Sequence, residues 1–177
     1  IEMGYLNLNE EVGKHFKQKK VLQEGLKKLK IELKLKNLPL RMECFDISNI
    51  QGKDAVASMS VAVNGETEPS EYRIFKITIK DTPDDFLMMR EALTRRYSKL
   101  KLEELPDLIL IDGGKGQWGV AVDVLETLGK IDKLNILNTD SVLLALEIPK
   151  TNDKSELAAE QLFASLHGIL RDAEELK

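Results

Sequence analysis

Val12, Phe16, Leu22, Leu26, Leu29 and Leu33 recur at the three-and-four spacing that lines one stripe of a helix, opposite a face rich in lysine. The spacing predicts an amphipathic helix over residues 12–35. Gly25 weakens it and Pro39 ends any continuation, so a boundary near Asn37 follows. We expect this helix to be an arm leading into the domain, either a connector packed on the core or a surface for a partner.

The pattern then changes period. Residues 40–47, 55–63 and 71–79 have strand character, separated by Gln51-Gly52 and Asn64-Gly65. Asn-Gly between two such runs predicts a hairpin, and the three runs predict an antiparallel meander. Thr82-Pro83-Asp84-Asp85 predicts a helix start, with threonine or aspartate as cap and proline in the first turn, and the helix should run to about Lys99. Pro106 precedes the apolar run 108–111, a short buried strand. Gly113-Gly114 turns the chain into a helix over about 117–128, and residues 134–137 read as a further strand. The order β-β-β-α-β-α-β predicts an α/β fold with an RNase H-like mixed sheet. We divide the chain into a helical arm at 1–38, a domain at 39–138 and a helical segment at 139–177.

Composition narrows the class. A chain of 177 residues with 42% hydrophobic and 32% charged residues suits one domain with a core. Cys44 is the single cysteine, which rules out an internal disulfide and points to a reducing, cytoplasmic compartment. Apolar stretches such as 142–146 are far short of a membrane span, and no charged-then-apolar leader opens the chain, so we expect neither secretion nor membrane insertion. Ile1 in place of methionine suggests a fragment. The net charge of −4 argues weakly against a nucleic-acid partner, but the charge is unevenly spread. Nine lysines against Glu24 and Glu32 lie within residues 14–36, whereas residues 139–177 hold eight acids and four bases. Only the first region could meet phosphate.

Two aspartates stand out. Asp46 lies inside the apolar strand 42–47, where a carboxylate needs a partner to be buried. Asp112 closes the run 108–112, at the carboxyl end of a buried strand, where open α/β sheets place their sites. If the first and fourth strands are neighbours, the two carboxylates converge and call for a divalent cation, magnesium or manganese fitting best. Each aspartate taken singly also reads as a hydrogen-bonded strand end. The stretch 112–117, Asp-Gly-Gly-Lys-Gly-Gln, could cradle a phosphate through its backbone amides, with Lys115 touching a nucleic-acid backbone. It lacks the Lys-Ser/Thr pair of a P-loop. Trp118 reads as a core residue, with base stacking as the alternative.

Longer motifs extend these observations: Arg41-Met42-Glu43-Cys44-Phe45-Asp46-Ile47-Ser48-Asn49-Ile50-Gln51-Gly52 followed by Val56-Ala57-Ser58-Met59; Pro83-Asp84-Asp85-Phe86 with Met89-Arg90-Glu91; Arg95-Arg96-Tyr97; and Pro106 through Gln117. Over about residues 5–130 the chain resembles the UvrC subunit of the bacterial nucleotide excision repair nuclease. The resemblance implies the RNase H-like endonuclease half of that subunit, which cuts the damaged strand on the 5′ side of a lesion within the SOS-linked repair system. It implies Asp46 and Asp112 as catalytic, metal-binding carboxylates, and Asp85 as a third carboxylate, whose plainer reading is an acid at a helix amino terminus. It also implies damaged duplex DNA and a UvrB-like helicase subunit as partners. Metal-assisted hydrolysis would leave 5′-phosphate and 3′-hydroxyl ends. Arg73, Lys76, Arg95, Arg96 and Lys115 are the candidates for gripping DNA phosphates, with ordinary surface charge as the other reading.

The chain departs from the family in two respects: the helical segment 139–177 is atypical and does not read like it, and an expected histidine is missing. The family carries a histidine in an Arg-Asp-Glu-Ala-His element; here His167 falls one turn too early, and aligning Arg171-Asp172 puts Glu175 in its place as a further metal ligand. Two function classes follow: an active nuclease, or a catalytically impaired nuclease-fold module that binds DNA or repair partners without cutting.

Overall fold

A computed structural model of the chain describes residues 17, 19–50, 54–78, 84–139 and 141–142. Residues 12–16, Gln51-Gly52, Ile79, Thr82-Pro83, His167 and Glu175 lie outside the described residues, as does nearly all of the segment 139–177.

Among the described residues the first element is helix α1, residues 19–32. Strands β1 (Arg41–Ile50) and β2 (Asp54–Val63) follow, then the two-residue β3 (Glu66–Thr67) and β4 (Arg73–Lys76). Helix α2 (Asp85–Tyr97), β5 (Leu108–Asp112), α3 (Lys115–Thr127) and β6 (Asn135–Asn138) complete it. The sheet order is β3-β2-β1-β5-β6, with β4 also on β2. β1 is antiparallel to β2 and parallel to β5, and β5 is parallel to β6. The first and principal fourth strands are thus neighbours, as the RNase H-like reading requires.

Of the third expected strand, residues 71–79, the described part in the ladder is β4, Arg73–Lys76. The Asn64-Gly65 turn forms as predicted, with φ of 56° and 88° at its two residues, the signs of a type I′ hairpin. It leads, however, into β3 and a 3-10 turn at Pro69–Glu71 before β4 begins. Proline has no amide hydrogen to give a ladder. At the other end, Thr78 donates its amide to the Glu91 carboxylate of α2 (3.0 and 3.1 Å), which diverts it from strand pairing.

Helix α2 begins where Asp84 accepts the amides of Phe86 (2.9 Å) and Leu87 (3.3 Å), so aspartate is the cap. It ends two residues before Lys99, with the Lys130 ammonium donating to the carbonyls of Tyr97 and Leu100. A cation on the last carbonyls suits the negative end of a helix.

Alternation along the strands divides the core between two faces. Phe45, Met59, Val61, Ile109 and Ile111 point to one side and pack with Met89, Leu93 and Tyr97 of α2 and Ala121, Val124 and Leu125 of α3. Met42, Cys44, Ala62, Leu108 and Leu110 point to the other and pack with Leu26 and Leu29 of α1, Leu35 and Val142. Leu26 and Leu29 are almost fully buried, each contributing about 1.5–3 kcal/mol of burial. The basic helix is therefore a layer of the domain, packed on the core by its apolar stripe, with Lys19, Lys20 and Lys27 exposed. It ends five residues earlier than Asn37: Leu35 N donates to Lys30 O (2.9 Å) across Lys34, which sits at φ 51°. Lys34 occupies the left-handed position that glycine takes without steric cost. Lys34→Gly is expected to raise stability by about 1 kcal/mol in urea unfolding; no gain would mean that the strain is relieved elsewhere.

Glu43 points into the α2–α3 face with no solvent exposure. Its carboxylate accepts from Arg41 (3.0 Å), from Arg96 twice (3.0 and 2.6 Å) and from the Tyr97 hydroxyl (2.8 Å). Arg41 also reaches Glu71 (2.7 Å). Burial first, and then the neighbouring Glu43 charge, push the Tyr97 phenol well above its ordinary range, so it remains a donor. Arg96 thus differs from the sequence expectation of a phosphate-gripping residue. Its side chain is 13% exposed and its guanidinium is taken up by Glu43.

Candidate metal centre

The register of β1 and β5 makes the site. Arg41 and Asp107 exchange backbone and side-chain bonds at the start of the two strands: Asp107 N donates to Arg41 O and Arg41 N to Asp107 Oδ2, both 2.9 Å. Asn135 donates to Asp107 O through its backbone (3.0 Å) and its side chain (2.9 Å), tying β6 to the same point. With the beginnings clamped, Met42 pairs with Leu108, and four residues on Asp46 pairs with Asp112. A two-residue slip would set Asp46 against Leu110 instead.

Paired residues on adjacent strands share a face and lie about 4.8 Å apart along the ladder. Asp46 is 6% exposed and Asp112 is half-buried. Ser58, the β2 partner of Asp46, is fully buried beside them. On the far side, the Thr139 hydroxyl donates to Asp112 Oδ1 (3.0 Å). A polar row Ser58, Asp46, Asp112, Thr139 therefore crosses the sheet where β5 and β6 end, opposite the middle of the longer β1; the carboxyl ends of parallel strands are the usual place for a site in such sheets. Cys44, one pleat back on the same face, has its thiol pushed well up by burial and then by the charges of Asp112 and Asp46. Burial thus favours its neutral thiol form.

The donors brought together are hard oxygens, which suit a magnesium-class cation. Such an ion binds through one or two carboxylates and keeps water and substrate oxygens as its other ligands, so the pair fits it. Among the described residues no group of three His, Cys, Asp or Glu converges. Asp85 is accordingly not gathered with the pair: it is an exposed residue in the first turn of α2, next to the capping Asp84.

The basic candidates are distributed unevenly. Lys76 is exposed and, through Val56 and Ser48, lies on the same sheet face as Asp46; Arg73, also exposed, lies on the opposite face. Lys115 is exposed at the first turn of α3, whose cap Gly114 provides no side-chain acceptor for the helix amides. Arg95 is half exposed but held by the Lys76 carbonyl (2.6 Å) and Glu91 (3.1 Å). Trp118 is 37% exposed rather than a core residue, its indole N–H donating to Ile136 O (3.2 Å).

Thr139 is not among the candidates read from sequence, because it falls immediately beyond the expected domain end at 138. The available signal was its position: a polar residue at the carboxyl end of a strand parallel to the one that ends in Asp112. The boundary at 138 is crossed by that hydroxyl and by Val142, which is buried against α1 and the sheet.

Comparisons with known proteins identify the family. UvrABC system protein C of Fusobacterium nucleatum is 54% identical over 138 residues, 78% of this chain and 23% of that protein. The protein of the same name from Methanothermobacter thermautotrophicus is 48% identical over 113 residues, 64% of this chain and 19% of that protein. The chain thus spans about a quarter or less of the length of these relatives. A solved structure of Ciona intestinalis endonuclease V in complex with inosine-containing DNA aligns over 73% of this chain and 57% of that one, at 16% identity and a TM-score of 0.38. The model of the family described as the UvrC RNAse H endonuclease domain matches residues 30–165, running through Thr139 and beyond. The match over residues 30–165, most of the chain's length, places this chain in the UvrC RNase H endonuclease domain family.

Proposed function

We propose that the chain is a divalent-metal-dependent DNA endonuclease core which, in nucleotide excision repair, cuts the damaged strand on the 5′ side of a lesion. The observation that carries this reading is the pairing of Asp46 with Asp112 across parallel strands. Asp46 and Asp112 would hold magnesium or manganese, which supplies charge neutralisation at the scissile phosphate and a more acidic water. Thr139 holds one oxygen of Asp112, fixing the direction of the other. Lys115 and the uncapped start of α3 offer positive charge to the strand's phosphates, and Lys76 does so on the carboxylate face. Arg73 and Arg95 are proposed as more distant phosphate contacts. Glu175, outside the described residues, is proposed as a third ligand. A UvrB-like helicase subunit is the proposed protein partner, engaged through parts of the relatives that this chain does not span.

The test is cleavage of a nicked or lesion-containing duplex with magnesium or manganese, comparing the chain with Asp46→Asn and Asp112→Asn. Loss of cutting in both supports the reading; metal-dependent cutting that survives both substitutions overturns it. Binding without turnover is the second reading, favoured by the convergence of only two acidic residues among those described. Thr139→Val is expected to weaken manganese affinity about tenfold, the usual cost of losing a group that orients a ligand. Thr139→Ser, which keeps the hydroxyl, should retain it.

A further inference from the structure

Phe86 is the second residue of α2, yet it lies off the stripe that packs on the core, which consists of Met88, Met89, Ala92, Leu93 and Tyr97. Its side chain is 51% exposed, beside Leu87 at 38%. The ring is nevertheless placed: a Cβ built on Gly116 would fall 2.6 and 2.8 Å from its Cε1 and Cζ. The ring therefore lies directly over the backbone of the first turn of α3, and a methyl group at 116 would push it off this seat. Gly116 is four residues after Asp112, so the ring's seat is within about 14 Å of that carboxylate even for fully extended chain. Exposed Lys115 adjoins the seat. An aromatic face with a cation beside it, on the α2–α3 side of the sheet edge where β5 ends in Asp112, has the chemistry that recognises a nucleotide: a π-surface for the base and a positive charge for its phosphate.

We propose that Phe86, seated on Gly116, is a stacking platform for a base of the DNA strand bound at the Asp46–Asp112 pair. The inference rests on the nuclease reading above and adds to it the residue that sets the strand's position. Phe86 is a positioning residue, because it acts on a base flanking the scissile phosphate and leaves the reacting atoms to the aspartates. Trp118 serves elsewhere, its indole N–H being bonded to the β6 backbone.

The experiment uses the chain with both aspartates intact, calcium in place of magnesium or manganese to slow turnover, and oligonucleotides carrying 2-aminopurine at successive positions around a nick. Stacking on Phe86 should quench fluorescence at one or two adjacent positions. Phe86→Ala should abolish that quench and weaken strand binding about tenfold, and Phe86→Trp should recover both. Gly116→Ala, which displaces the ring without removing it, should behave like Phe86→Ala, with a helical circular dichroism signal like that of the parent chain. A quench that persists unchanged in Phe86→Ala overturns the platform and leaves the nuclease reading standing. Failure of the parent chain to bind any of the oligonucleotides, measured by anisotropy, overturns both.

Discussion

Glu43→Ala should destabilise the domain by about 3–5 kcal/mol, read as a lower urea midpoint with an unchanged slope. The wild-type carboxylate is fully buried and accepts from Arg41, Arg96 and Tyr97 together. Truncation leaves the Arg96 guanidinium, only 13% exposed, facing a void without its counter-charge. The desolvation cost of that cation then outweighs the lost Coulomb attraction, which is why breaking one side of a buried pair is so much worse than replacing both. Glu43→Ala with Arg96→Met should accordingly recover much of the loss. A single-variant penalty below about 1 kcal/mol would show that water replaces the carboxylate.

Asp112→Asn should reduce cleavage by at least about 100-fold, since an ion held by the pair contributes several kcal/mol to the barrier. The same substitution should leave stability in chelator unchanged or raised, because two carboxylates facing each other across a ladder repel. In manganese the ranking should reverse. The parent chain gains about 2.7 kcal/mol when the ion is present at a hundred times its dissociation constant, and the variant gains little. Parallel melts in chelator and manganese check this directly. Equal manganese stabilisation in both chains would mean that the ion binds somewhere other than at Asp112.

The elements were legible from local pattern because each apolar run had to be covered on one side or both. The run at 108–111 is β5, the Asn64-Gly65 pair is a turn, and Leu22, Leu26 and Leu29 form a buried stripe. Asp46 and Asp112 were also legible, since a carboxylate embedded in or closing an apolar strand stands out against its neighbours. Whether they face each other depends on register, and register depends on contacts far apart in the chain. The Arg41–Asp107–Asn135 clamp sets it, and no local periodicity encodes that clamp. The same distance dependence explains the remaining differences. Arg96 resembled any surface arginine until folding brought Glu43 to it across 53 residues, and Thr139 seemed to lie beyond the domain until β6 aligned beside β5. Hydrophobic burial acts on neighbours one helical turn or one pleat away, so it is visible in sequence; the partner of a buried charge is chosen only when the sheet closes.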